Sequence, residues 1–164
     1  MKHKQILSVL VENQAGVLNR ITGLFARRAF NIDSLAVGVT EDESVSRITM
    51  IVDSGSHAAE QVEKQLHKLV TVIKVKRFEA GEFVGRELIM VKVSTNTKNL
   101  SEIKTVCDIM SAKVSDISQS TIMVELADTT DRISLFLDML TPFGIVEIAR
   151  TGVIAMQKGS ARMG

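Results

Sequence analysis

Hydrophobic and polar positions in the first half of the chain alternate between the periods of strands and helices. Positions 5–12 are rich in β-branched and aliphatic residues and predict a buried strand, and Val17, Ile21 and Phe25 then recur at helical spacing. In 31–39, apolar residues alternate at Leu35, Val37 and Val39, as in a half-buried strand. A third strand is predicted at 45–53. The polar stretch "SGSH" then opens a second helix with Val62, Leu66 and Leu69 on one face, and a fourth strand follows at 70–78.

The second half of the chain repeats this order. Apolar strand patterns lie at 86–94, 113–118, 120–127 and 145–156, the last interrupted at Gly152. Two helical patterns separate them, and Asp128 is the predicted cap of the second. The pattern predicts an α+β protein of two tandem ferredoxin-like βαββαβ domains, each an antiparallel sheet with helices on one face. The predicted boundaries are 1–78 and 87–164, joined by a polar, glycine-bearing linker at 79–86.

Composition narrows the functional classes. Lys and Arg total 20 against 19 Asp and Glu, so no strong attraction to nucleic acid or anionic lipid is expected. The basic, apolar N-terminus is too short and too soon interrupted by Glu12 to predict a signal peptide, and no later apolar run approaches the roughly 20 residues of a membrane span. With a single cysteine, the chain is expected to be soluble and cytoplasmic.

Residues that could support catalysis or metal binding are sparse. His3, His57 and His67 have no metal-ligand spacing, so no metal site is predicted. Cys107 falls in an apolar helical stripe and is expected to be buried. RNA recognition on this topology needs aromatic side chains on the central strands, and the chain has no Tyr or Trp. An acylphosphatase-like hydrolase is a weak alternative, because Arg20 is predicted to point into water.

The segment "NQAG" at 13–16, between the first strand and the first helix, is the strongest candidate site. The first turn of a helix exposes unpaired N–H donors and a partial positive charge. Asn13 could cap them, or a ligand carboxylate could take that place, with Gly16 allowing close approach to the backbone. A carboxylate site among aliphatic side chains suits a small apolar amino acid. The second half has Asn96 at the matching place but no glycine.

A family resemblance rests on this segment and its surroundings. "ILSVLVENQAGVLNRITGLFARRAFNIDSLAVG", "SRITMIV" and "EKQLHKLVTVIKV" closely resemble the N-terminal ACT domain of the regulatory (small) subunit of acetolactate synthase, also called acetohydroxyacid synthase. "RELIMVKV" and "VEIARTGVIAM" extend the resemblance into the C-terminal domain. It implies a non-catalytic subunit that binds no cofactor itself. Its catalytic large subunit is expected to carry thiamine diphosphate, Mg and FAD.

The resemblance also implies a function and a site. Such subunits activate the catalytic subunit and confer feedback inhibition by branched-chain amino acids, usually valine. Their ACT domains pair as a homodimer, with the effector at the interface. The positions that match the effector site in this sequence are Asn13, Gln14, Ala15, Gly16, Val17 and Leu18, and, from the second copy, Asn31 and Ile32. A stand-alone ACT amino-acid sensor with another partner is the alternative among binding proteins.

Overall fold

A computed structural model describes residues 4–53 and 58–163, without the side chains of Ala58 and Ala59. The chain forms two compact units. The first comprises Met1–Gly85 together with Gly152–Gly164, and the second comprises Arg86–Thr151.

The first unit has the predicted βαββαβ order. Its elements are β1 (Lys4–Glu12), α1 (Val17–Arg27), β2 (Ile32–Val39), β3 (Val45–Asp53), α2 (Ala58–Leu66) and β4 (Val72–Phe78). The antiparallel sheet has the strand order β2-β3-β1-β4, so β2 and β4 are its edges. The residues "SGSH", His3 and His57 lie outside the described residues.

One face of this sheet and the two helices enclose an aliphatic core. Leu7 and Val9 are two residues apart in β1, so both side chains point to the same face of the sheet. Met50 of β3 lies opposite Leu7, and all three residues are buried in this core. From α1, Ile21 and Phe25 pack onto them and are almost fully buried. The apolar residues that recur at helical spacing in the sequence therefore form the face of α1 that packs on the sheet.

The second unit repeats the arrangement. Its elements are β5 (Phe83–Ser94), which begins within the first unit, α3 (Leu100–Met110), β6 (Lys113–Ile117), β7 (Thr121–Asp128), α4 (Thr130–Leu140) and β8 (Ile145–Arg150). The strand order is β6-β7-β5-β8. Both units thus confirm the predicted fold class.

Two side-chain environments in the second unit are informative. Cys107 is buried as predicted, and burial raises the pKa of its thiol. Asp128 is not the N-cap of α4, as the sequence suggested. The cap position is Thr129, and Asp128 instead accepts a hydrogen bond from the Thr129 N–H (2.8 Å) and pairs with Arg132 one turn into the helix.

The compact units differ from the predicted domains in two places. Residues 79–82 form a turn in which the Glu82 N–H donates to the Glu79 carbonyl (3.2 Å), and β5 starts at Phe83, so 79–86 is not a free linker. Residues 152–163 were predicted to belong to the C-terminal domain, but they group with the first unit. We call residues 152–163, which include β9 (Ile154–Gln157), the C-terminal strap.

The C-terminal strap contains buried apolar side chains and makes hydrogen bonds within the first unit. Val153, Ala155 and Met163 are each buried to 4% exposure. The Val153 N–H donates to Ser34 Oγ on β2 (3.2 Å). The Lys158 N–H donates to the Glu82 carbonyl (2.9 Å).

Candidate functional site

The entrance of α1 is not capped by Asn13. The Asn13 amide donates to the Glu43 carbonyl (2.8 Å), and its N–H donates to the Ser44 carbonyl (2.7 Å). Of the two possibilities left open by the sequence, the Asn13 cap is therefore wrong. Asn13 instead fixes the 13–16 loop to the turn between β2 and β3. Sequence reasoning missed Glu43 and Ser44 in this role, and only the polar turn "EDES" hinted at it.

The backbone at this entrance retains unused donors. Gly16 is the N-cap residue, with φ 85° and ψ −8°, and no side chain caps the helix. The Val17 N–H makes a long bond to the Gln14 carbonyl (3.4 Å), and the Arg20 N–H bonds to the Gly16 carbonyl (3.0 Å). Between them, the N–H groups of Leu18 and Asn19 have no hydrogen bond within the described residues.

Electrostatics distinguish α1 from the other described α-helices. The first turns of α2, α3 and α4 carry Glu60, Glu102 and Asp131, which complement the positive end of the helix dipole. The first turn of α1 has no acidic residue. Helices α3 and α4 also lack a side-chain cap, so the missing carboxylate, rather than the missing cap, distinguishes α1.

Gly16 leaves open space where a ligand could approach. Its φ lies in the left-handed region that favours glycine, and a Cβ built there would meet no atom within 4 Å. Residues Asn13, Gln14 and Ala15 beside it are exposed. Val17 is buried in the core, whereas Leu18 is 41% exposed and offers an aliphatic surface next to the loop.

The matching turn in the second unit is closed by its own side chains. Asn96 Oδ1 accepts the N–H groups of Lys98 (2.8 Å) and Asn99 (3.1 Å), and Asn99 Oδ1 accepts the Asn96 N–H (2.8 Å). No left-handed glycine precedes α3, where Asn99 is right-handed. The sequence difference between the halves thus corresponds to an open loop in one and a self-bonded turn in the other.

Asn31, the residue expected from a second copy, is exposed just before β2. Its Nδ2 donates to Asp33 Oδ1 (2.6 Å), and Asp33 forms an ion pair with Lys4 (3.3 Å). This orientation presents the amide oxygen of Asn31 as a hydrogen-bond acceptor. Ile32 beside it is partly buried against the core.

One chain does not bring these two groups of residues together. Ile32 of β2 pairs with Val52 of β3, and Val52 pairs with Gln5 near the start of β1. The 13–16 loop instead follows Glu12, at the end of β1. Gln5 and Glu12 are separated by the length of β1, about 23 Å at the rise of a strand. Asn31 and Gly16 therefore lie at opposite ends of the same sheet.

The edge strand β2 is exposed along its second half. Val37 and Val39 are 49% and 65% exposed, and the outer side of an edge strand carries unpaired N–H and C=O groups. Such an edge can pair with a strand of another molecule.

Metal-binding clusters are not found in the part of the chain that the structure describes. No group of three or more His, Cys, Asp and Glu side chains there could hold a metal ion. Arg20, considered for a hydrolase, is exposed as predicted. In the same residues, no helix is long and apolar enough to cross a bilayer.

The βαββαβ fold and the open glycine loop fit an ACT domain, and the family comparison shows this class of protein. Residues 7–74 match the AHAS small subunit-like ACT domain, and residues 86–159 match the C-terminal family described as small subunit of acetolactate synthase. The chain belongs to the acetolactate synthase small subunit family, whose members are regulatory and not catalytic on their own.

Individual relatives agree over nearly the whole chain. The chain is 41% identical over 162 residues to the probable acetolactate synthase small subunit of Archaeoglobus fulgidus, covering 99% of this chain and 100% of that protein. It is 41% identical to the acetolactate synthase small subunit of Bacillus subtilis, covering 96% and 92%. The crystal structure of the small subunit from Thermotoga maritima superposes with a TM-score of 0.88 at 34% identity, covering 97% and 99%.

Proposed function

We propose that the α1 entrance binds the carboxylate of a branched-chain amino acid, most favourably valine, and that this binding inhibits a catalytic acetolactate synthase subunit. The observation that carries the proposal is the first turn of α1, which combines unbonded N–H groups with no acidic residue. A carboxylate there would satisfy both the donors and the helix dipole. Gly16 gives it room, and the exposed face of Leu18 suits an aliphatic side chain.

A second copy of the chain would complete the site. The ligand's ammonium group needs an acceptor, and the Asn31 amide oxygen is oriented as one. Loop carbonyls are the other candidate acceptors. Since Asn31 lies a strand length from Gly16 in one chain, an Asn31 acceptor would come from another copy. Antiparallel pairing of two β2 edges would place the start of one β2 beside the end of the other, which is the end where the 13–16 loop lies.

The proposed partner is the large subunit of acetolactate synthase. The names of the relatives as small subunits support such a partner. Thiamine diphosphate, Mg and FAD would reside in that partner, and this chain would raise its activity in the cytoplasm. The effector would act by favouring one arrangement of the dimer over another, since a ligand shifts an equilibrium only through its different affinities for the two states.

A reconstitution assay tests this function. The purified chain is added to the cognate large subunit, and acetolactate formation is measured with and without valine. We expect stimulation by the chain and inhibition of the stimulated rate by valine. Stimulation that valine, leucine and isoleucine all fail to reduce would contradict the effector site. No effect on the large subunit would favour a stand-alone amino-acid sensor.

Replacing Asn31 by alanine is expected to weaken valine binding by at least about tenfold, because one hydrogen bond to a charged group contributes about 1.5–3 kcal/mol. The fold should be unaffected, since Asn31 is exposed and, among the described residues, its side chain bonds only to nearby Asp33. Calorimetry and thermal melts measure the two effects separately. Gln61→Ala, an exposed amide on α2, is the matched control. An Asn31→Ala protein that melts early, without a separate binding loss, would count against the assignment.

A further inference from the structure

The amide group of Asn31 is held in one orientation by the carboxylate of Asp33. The Nδ2 atom of Asn31 donates to Oδ1 of Asp33 at 2.6 Å. A carboxylate in an ion pair only accepts hydrogen bonds, whereas an amide has one donating end and one accepting end. The NH2 end of Asn31 must therefore face Asp33, and its oxygen faces the other way. Asp33 thus determines that Asn31 presents an acceptor, rather than a donor, to a ligand.

The carboxylate of Asp33 is itself held in place by a second contact. Its other oxygen, Oδ2, lies 3.3 Å from Nζ of Lys4. The two carboxylate oxygens therefore have separate partners, one cationic and one neutral. Because Lys4 offsets the charge of Asp33, the effect of Asp33 on a ligand comes through the direction of the Asn31 amide and not through net negative charge.

A β-bulge in β2 places Asp33 beside Asn31. Ile32 pairs with Val52, and Ser34 pairs with Ile51, the next residue of β3, so Asp33 has no partner in that strand. Bulges re-aim side chains and are common next to functional sites. The backbone of β2 thus departs from regular pairing at the residue that orients Asn31.

The edge strand β6 of the second unit has a similar bulge with different side chains. The register of β6 shifts at Ser115, whose hydroxyl donates to Glu125 (2.7 Å). Lys113 lies two residues earlier, at the position that Asn31 has in the first unit. The bulge therefore forms without an aspartate, and the pair of Asn31 and Asp33 needs another explanation. This pair occurs in the unit that also has the open glycine loop.

We propose that Asp33 is a positioning residue that makes the effector site select an amino acid over the 2-oxo acid of the same carbon skeleton. This role rests on the proposed function, in which Asn31 of a second copy meets the ammonium group of the effector. An ammonium group only donates hydrogen bonds and needs the oxygen of Asn31. A 2-oxo acid has a carbonyl oxygen at that place, which only accepts and would face the Asn31 oxygen. Polar mismatches of this kind reject a ligand more strongly than a missing methylene does.

The test compares two ligands on the purified full chain by calorimetry, valine and 3-methyl-2-oxobutanoate, which has an oxo group in place of the amino group. We expect the wild-type chain to bind valine at least about tenfold more tightly, the contribution of one hydrogen bond to a charged group. The exposed ion pair of Asp33 adds little to stability, so substitutions there should leave the fold intact.

Asp33→Asn is expected to improve binding of the 2-oxo acid. The new amide can donate to Asn31 as well as accept from it, so Asn31 can turn its NH2 end to the oxo group. This should raise affinity for the 2-oxo acid about fivefold, the effect of one neutral hydrogen bond. Valine should lose only about twofold, because the orientation it needs is then one of two. Structural damage would not produce a gain in binding.

Two further variants serve as controls. Asp33→Glu keeps a group that only accepts hydrogen bonds and should retain the wild-type preference for valine. Asp116→Asn makes the same change from carboxylate to amide on β6 and should bind both ligands as wild type does. Asp33→Ala also frees the Asn31 amide, and it decides the question if Asp33→Asn melts early.

The possible failures separate this role from the proposed function. A wild-type chain that binds both ligands equally, or an unchanged ratio of the two affinities in Asp33→Asn, would overturn the role of Asp33. Equal weakening of both ligands would likewise overturn it and make Asp33 a structural residue only. The proposed function survives these results if wild type binds valine and Asn31→Ala weakens that binding. Full valine affinity in Asn31→Ala would refute the Asn31 part of the proposed site, and the role of Asp33 with it.

Discussion

Replacing Gly16 by aspartate is expected to abolish valine inhibition while leaving activation of the large subunit largely intact. The new carboxylate would lie at the unbonded N–H groups of the first turn of α1, where the effector's carboxylate is proposed to bind. Two charge-assisted hydrogen bonds contribute about 3–6 kcal/mol, so valine affinity should fall by at least about a hundredfold. Calorimetry on the isolated chain measures this loss, and an acetolactate assay measures retained activation.

The control for this substitution is Gly16→Asn. Asparagine and aspartate both tolerate the left-handed conformation of Gly16 better than other side chains, so they share the backbone cost and differ in charge. The space around Gly16 accepts either side chain. Gly16→Asn should therefore retain measurable valine binding. Equal losses in the two variants would show that the charge of the new side chain does not decide binding, since an amide oxygen can accept from the same N–H groups.

Replacing Gly152 by valine is expected to release the C-terminal strap and destabilise the first unit. A Cβ at Gly152 would lie 2.5 Å from Ser34 Oγ and 3.4 Å from the Leu35 carbonyl, and φ is +79°. The strap would have to shift, weakening the bond from Val153 to Ser34 and exposing buried apolar side chains. Burying one such side chain stabilises a fold by about 1.5–3 kcal/mol.

Gly159→Val separates the steric effect from backbone strain. Gly159 has nearly the same φ, +78°, but no atom lies within 4 Å of its Cβ position. The difference in melting temperature between the two variants therefore reports contact between the strap and β2. At about 4–8 °C per kcal/mol for a unit of this size, we expect Gly152→Val to melt about 10 °C below Gly159→Val. Equal melting temperatures would show that the strap adds little to the stability of the first unit.

Features set by local pattern could be predicted from the sequence, whereas features set by distant contacts could not. The strand at 45–53 and the start of α1 at Val17 follow from hydrophobic period, and both are confirmed. The strap could not be foreseen, because the bond from Val153 to Ser34 joins residues 119 positions apart. Likewise, Asn13 is a good cap by local chemistry, but a carbonyl 30 residues away accepts from its side chain instead.

In the candidate site, too, some features could be predicted from local sequence pattern and others only from the fold. Gly16 was singled out from its position before a helical pattern, and the structure shows why that position favours glycine. The absence of an acid from the first turn of α1 was equally readable from the sequence, once the helix start was known. The separation of Asn31 from Gly16 required the strand order, in which β3 lies between β1 and β2. The family resemblance, rather than the periodicity, suggested that a second copy supplies Asn31.

A crystal structure of the chain grown with valine tests the central claim most directly. The account predicts valine between two copies, with its carboxylate about 2.9 Å from backbone N–H groups at the start of α1 and its ammonium group on Asn31 of the second copy. Valine bound elsewhere, with the N–H groups of Leu18 and Asn19 satisfied by the protein's own atoms, would contradict it.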